Sequence, residues 1–204
     1  MERSVLLPES YRFYMQLQNR NALDRLVEQK TPPPSLNWNE LKNFYHAQFS
    51  FQVTQYAYYL FLREAWEKTW GDALSQAEGL TPFSNQGDYD SYNSDYGEKV
   101  LLAPADVWDD SLYQLYRRRN REIWWFGIAT VFGPDALRLY WYCHDNAGED
   151  VSRKISLVSR YWEAESGEDN CRETPIPLCL LNTDMHTVPL DELYQAAVHV
   201  INTL

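Results

Sequence analysis

The chain is short of cysteine and of positive charge, and it has no long apolar run. Only three cysteines occur in 204 residues, at Cys143, Cys171 and Cys179. The number is odd and no pair has C-x-x-C spacing, whereas a secreted disulfide framework uses an even, denser set. The expectation is a reducing, cytoplasmic setting, with a single Cys171–Cys179 bridge as the alternative. The N-terminal apolar run Val5-Leu6-Leu7 is too short for the core of a signal peptide. Nowhere does the chain approach the ~18 uninterrupted apolar residues of a membrane span. Lys and Arg number 18 against 29 Asp and Glu, a formal net charge of −11. That balance argues against nonspecific attraction to nucleic acid or to an anionic membrane.

Catalytic and cofactor signatures are equally scarce. The sequence holds no G-x-x-x-x-G-K-[ST], no G-x-G-x-x-G and no G-x-S-x-G, so phosphate cradles and the nucleophile elbow of α/β-hydrolases have no basis. H-E-x-x-H is also missing, and the run Asp88–Asp95 fails as a calcium loop. Its sixth position is Asn93 where Gly is needed, and its twelfth is Lys99 where Glu is needed. No metal and no cofactor are implied.

Aromatic residues are what the chain has in excess: 8 Phe, 8 Trp and 15 Tyr, 31 in all. Tyr and Trp combine a large apolar face with a polar handle and are enriched at protein interfaces. Ring content together with acidity is therefore the main clue to function.

Apolar spacing divides the chain into helices first and strands later. Residues Glu9 to Lys30 show three- and four-residue steps, with a weak point at Asn19–Asn21. Thr31-Pro32-Pro33-Pro34-Ser35 ends that segment. Asn37-Trp38-Asn39-Glu40 has the form of a capping box and opens a helix expected to run to Trp70, before Gly71. A competing strand at Phe49–Val53 is outweighed by the longer helical periodicity. An unbroken helix of that length would span about 50 Å, so it must kink, break or project from the body.

Residues 77–97 form a polar connection. A short strand is expected at Val100–Ala103 and a helix over Asp106–Arg119, whose acidic start and basic end suit the helix dipole. Glu122–Phe132 and Leu137–Cys143 read as an antiparallel hairpin. Lys154–Tyr161 and Ile176–Leu181 read as further strands, with an acidic loop Glu163–Thr174 between them, and Asp191–Asn202 as a closing helix. The predicted fold is α+β: N-terminal helices packed on an antiparallel meander of about three to five strands, with a C-terminal helix. A single domain over 1–204 is expected, mainly helical over 1–76 and sheet-containing over 98–204.

Candidate site residues fall in three groups. The loop residues Asp88, Tyr89, Asp90, Tyr92, Asp95 and Tyr96 interleave rings with carboxylates, the composition of a recognition loop or a solvated connection. Arg117, Arg118, Arg119 and Arg121 form the one basic island, able to clamp an anion or to complement a helix C-terminus. His144, Asp145, Asp184 and His186 are the candidates for a dispersed catalytic site, with the Arg117–Arg121 cluster to hold an anionic substrate; adjacent strand residues such as His144 and Asp145 face opposite ways and cannot form a triad by themselves.

The expected function is a non-enzymatic, acidic protein-binding module of the inhibitor, immunity or adaptor type, engaging a basic protein partner through acidic and aromatic surface. The aromatic helix 44–70 offers a homodimer face. Direct nucleic-acid binding and membrane association are not expected. The alternatives are a nucleic-acid mimic that blocks a DNA-binding protein and an enzyme with the dispersed His/Asp site.

Overall fold

Asn37 starts the longest helix of the molecule. Its side-chain oxygen accepts the N–H groups of Asn39 and Glu40 at 3.0 and 3.1 Å, and Glu40 accepts the Asn37 N–H at 2.9 Å, the reciprocal bonds of a capping box. The computed structural model describes residues 3–28, 32, 34–82, 111–118, 122–130, 136–143, 151, 161–164, 171–173 and 179–204. Among these, helix α1 is Glu9–Met15, α2 is Leu17–Glu28 and α3 is Trp38–Trp66. The first helical segment breaks at Gln16, earlier than the weak point expected at Asn19–Asn21. Gln16 adopts extended backbone, and the Asn19 side chain spans the break, donating to the Phe13 carbonyl and the Gln16 side chain.

The expected stop before Gly71 does not occur. Helix α3 passes through a π-helical turn, Glu67–Gly71, into a last turn α4, Asp72–Leu74. At 1.5 Å per residue the whole rod is about 55 Å long. The turn is anchored from the sheet side. Trp66 Nε1 donates to the Phe126 carbonyl at 2.7 Å and Trp70 Nε1 to the Gly127 carbonyl at 2.9 Å. Both rings are buried, so apolar burial and two satisfied indole donors hold the helix across Gly71.

The sheet is antiparallel, as expected, and it is entered earlier than expected. Strands β2 (Leu80–Pro82), β3 (Ser111–Arg118), β4 (Ile123–Ala129) and β5 (Ala136–Cys143) form a meander. Gly79, at φ 84°, makes the turn into β2, and Pro82 sits on the edge strand, where no ladder donor is lost. The far edge of β5 is shared by two short strands. Tyr140–Tyr142 pair with β7 (Cys171–Glu173) and Ala136–Leu137 with β8 (Cys179–Leu180). β6 (Glu163–Ala164) pairs with β7, so the expected acidic loop over Glu163–Thr174 carries two strands.

Ser111–Arg118 is the main correction. It was expected as part of a helix over Asp106–Arg119 and is a strand, paired with β4 from Ser111↔Ala129 to Arg117↔Ile123. Val107, Leu112, Leu115 and Tyr116 mimic helical spacing, but β4 is a buried strand whose backbone donors and acceptors need a neighbour on each edge, β5 on one and β3 on the other. Pairing with it overrides the local pattern. The expected strands at Val100–Ala103 and over 154–160 lie outside the described residues.

A second, two-stranded sheet joins the chain's two ends. β1 (Ser4–Leu6) pairs with β9 (Thr187–Pro189), and Leu7 N–H to His186 O and Leu190 N–H to Arg3 O extend the pairing at 2.9 and 2.8 Å. The expected C-terminal helix follows as α5, Asp191–Ile201, burying Leu193, Ala196, Ala197 and Val200. The guanidinium of Arg3 lies 3.5 Å over the Tyr194 ring and pairs with Asp72 at 3.3 Å.

The core lies between the C-terminal half of α3, the sheet and α5. Trp70 contacts Phe126 and Trp162 at centroid distances of 4.8 and 5.9 Å, and Trp141 continues the series to Trp124 at 5.6 Å. Tyr11 of α1 stacks on Tyr58 of α3 at 4.5 Å. The Tyr58 hydroxyl is hydrogen-bonded to the Thr130 hydroxyl.

Candidate functional site

Most rings of the described residues are sealed in this core. The clearest exception is the N-terminal half of α3, where Trp38 is 76% exposed, Tyr45 55% and Phe49 63%. Val53 and Leu60 continue the exposed row. The local cause is helical period. Trp38, Lys42, Tyr45, Phe49, Val53 and Leu60 recur at three-, four- and seven-residue steps and share one face. Phe44, Phe51, Tyr58 and Leu62 turn the other way and are buried. Trp38, Leu41, Lys42, Tyr45, His46 and Phe49 line an open depression of about 450 Å³ on this face.

Its electrostatics differ from those of the whole chain. Between Glu40 and Glu64 there is no Asp or Glu, and Lys42 and Arg63 are the only formal charges. Flanking positions are Asn43, Gln48, Ser50 and Gln52. Depletion of carboxylates around an aromatic centre is the composition of an interface core. At the C-terminal end of the same face Arg63 pairs with Glu67 at 3.0 Å and Glu64 with Lys68 at 2.6 Å. The Glu67 carboxylate raises the Arg63 pKa further above its ordinary value.

The residues singled out from sequence are dispersed. Asp88, Tyr89, Asp90, Tyr92, Asp95, Tyr96, Arg119, Arg121, His144 and Asp145 lie outside the described residues. Arg117 and Arg118 end strand β3 instead of a helix, so the helix-dipole reading of this cluster falls. As neighbours on a strand they face opposite ways. Arg118 lies 3.7 Å from Glu122 and donates to the Leu204 carbonyl. Asp184 and His186 are both exposed, on the approach to β9. There the Asp184 N–H donates to the Asn182 side chain at 3.0 Å, and the His186 carbonyl is engaged by Leu7. Among the described residues no three His, Cys, Asp or Glu side chains converge to hold a metal.

Cys179 is a buried free thiol, so the Cys171–Cys179 bridge is not formed. Burial, with a smaller contribution from the Glu192 carboxylate, pushes its pKa up to about 11. A thiol so raised is a poor nucleophile at neutral pH.

Residue-by-residue reading of the sequence underweighted Trp38, Lys42 and His46. The capping box placed Trp38 in the first helical turn, where no preceding turn can shelter its ring. That signal was present in the sequence. No helix of the described residues is long and apolar enough to cross a membrane. Compared with known proteins, the chain matches no family model, no curated protein and no solved structure at a significant level.

Proposed function

We infer that the protein is a non-enzymatic protein-binding module of the inhibitor, immunity or adaptor type, and that the exposed face of α3 is its contact surface. The observation that carries this reading is the row Trp38, Tyr45, Phe49 and Val53, exposed along a helix whose opposite side is buried. Large rings in water gain free energy when covered, at roughly 25 cal/mol per Å² of apolar area. Aromatic anchors ringed by uncharged polar groups are the usual centre of a binding site. The net charge of −11, carried outside this face, steers basic partners towards the molecule and repels acidic ones.

A photo-crosslinking side chain placed at Tyr45 tests the reading. Irradiated in concentrated cell extract, it is expected to give a discrete protein adduct, of this chain with itself or with another protein. The same group at exposed Asp184 is expected to give none. Equal, diffuse labelling from the two positions would remove the assignment.

A further inference from the structure

The exposed face of α3 is arranged symmetrically about Val53. Lys42 lies eleven residues before it and Glu64 eleven residues after it. Eleven residues make just over three whole turns, so Lys42, Val53 and Glu64 stand nearly in line. All three are exposed. Four residues before Val53 is the large, exposed Phe49, and four after is the small Ala57. Seven before is His46 and seven after is Leu60, both exposed.

A surface of this kind is its own complement under a two-fold rotation. A second α3, antiparallel and centred on Val53, sets each Lys42 beside the other copy's Glu64, an exposed carboxylate whose partner in its own chain is Lys68 at 2.6 Å and which keeps room to accept a second cation. Each Phe49 then lies over the other copy's Ala57, a large residue against a small one. Val53 meets Val53 on the axis. The carboxylate-free stretch from Leu41 to Arg63 also brings no acids together at the centre, although two chains of net charge −11 repel one another elsewhere.

The available area suits a reversible pair. A whole aromatic side chain buries roughly 150–250 Å². Three rings more than half exposed, with Val53 and Leu60, therefore offer on the order of 500 Å² per copy. The pair would bury about 1,000 Å², the lower limit for a specific interface.

We propose that the partner of this face is a second copy of the chain, docked through antiparallel α3 helices about a two-fold axis at Val53. This rests on the reading of the face as a contact surface and names what covers it.

Sedimentation velocity from about 1 to about 200 μM, the range where a micromolar dimer dissociates, tests it. Wild type is expected to shift from monomer to dimer across that range. Val53→Glu puts two like charges on the axis and is expected to stay monomeric, with unchanged circular dichroism and, below the concentration at which the wild type dimerises, an unchanged melting temperature. Lys42→Glu is expected to weaken the dimer about tenfold, as like-charge apposition does, and adding Glu64→Lys in the same chain is expected to restore it. A monomeric wild type at the highest concentration, a dimer that survives Val53→Glu, or a charge swap without rescue each overturn the proposal. A monomer whose Tyr45 probe still captures a different protein overturns only the second copy. A monomer that gives no adduct overturns the contact surface as well.

Discussion

The two halves of the long rod are similar in composition and opposite in fate. From Trp38 to Val53, rings point both inward and outward, and the outward ones stay more than half exposed. From Thr54 to Leu74 the inward side chains meet a sheet, and two indole donors are matched by two strand carbonyls. Hydrophobicity decides that such a helix seeks cover. The presence of β4 alongside decides which half finds it. Apolar content by itself therefore does not separate core from contact surface. The separation follows from which side chains acquire hydrogen-bonded, ring-packed neighbours within the same chain.

Substitutions in the two halves should separate them sharply. Trp70→Ala removes a fully buried ring and its hydrogen bond to the Gly127 carbonyl; a loss of about 3–5 kcal/mol is expected, read from denaturant unfolding. A loss under about 1 kcal/mol, within surface behaviour, would erase the contrast.

Gly127→Ala acts on the same contact from the sheet side. A Cβ there would fall within the ring of Tyr140, its partner on β5. The ring must swing away, and a loss of about 1–3 kcal/mol is expected. An unchanged melting temperature would show that the ring moves freely.

The buried region should also make stability depend on alkaline pH. Cys179 has its pKa raised to about 11, and burial raises Tyr116 as well. Between the ordinary thiol value and about 11 the folded state holds a proton that the unfolded state has lost. Stability is therefore intact below the ordinary value and falls as pH rises, by at most about 1.4 kcal/mol per unit from one such group. Cys179→Ala is expected to flatten this slope in pH-dependent unfolding, and an identical slope in the variant would remove Cys179 as its source.

The smallest effect belongs to the exposed half. Trp38→Ala is expected to change monomer stability by no more than about 0.5 kcal/mol, measured below the concentration at which any dimer forms. A larger loss would place Trp38 with the core and collapse the comparison.

Much of this architecture was legible in the residues. The capping box fixed the start of α3, the aromatic hairpin pattern marked β4 and β5, and apolar spacing over Asp191–Asn202 announced α5. Those signals are local, and the structure obeys them. Failures occurred where distant partners decide. Ser111–Arg118 has helical spacing, but β4 pairs with it. The helix was expected to stop before Gly71, where glycine disfavours helix interiors, yet Trp66 just before the π-helical turn and Trp70 within it are both anchored on β4. β1 and β9 are three residues each and have no periodicity to read. The candidate face was half legible. Excess rings were visible at once, but which of them remain outside depends on packing that spacing alone does not encode.

The neighbouring indoles of Trp70, Trp162, Trp141 and Trp124, with successive centroids 5.9, 6.4 and 5.6 Å apart, give the molecule an optical signature. Chromophores this near share their excited states, so the folded chain should show a coupled band in its ultraviolet dichroism and transfer excitation along the row. Trp38 stands apart from them in water, open to iodide or acrylamide quenching. Dichroism thus reports whether the interior is assembled, and quenching whether anything has settled over the outlying ring.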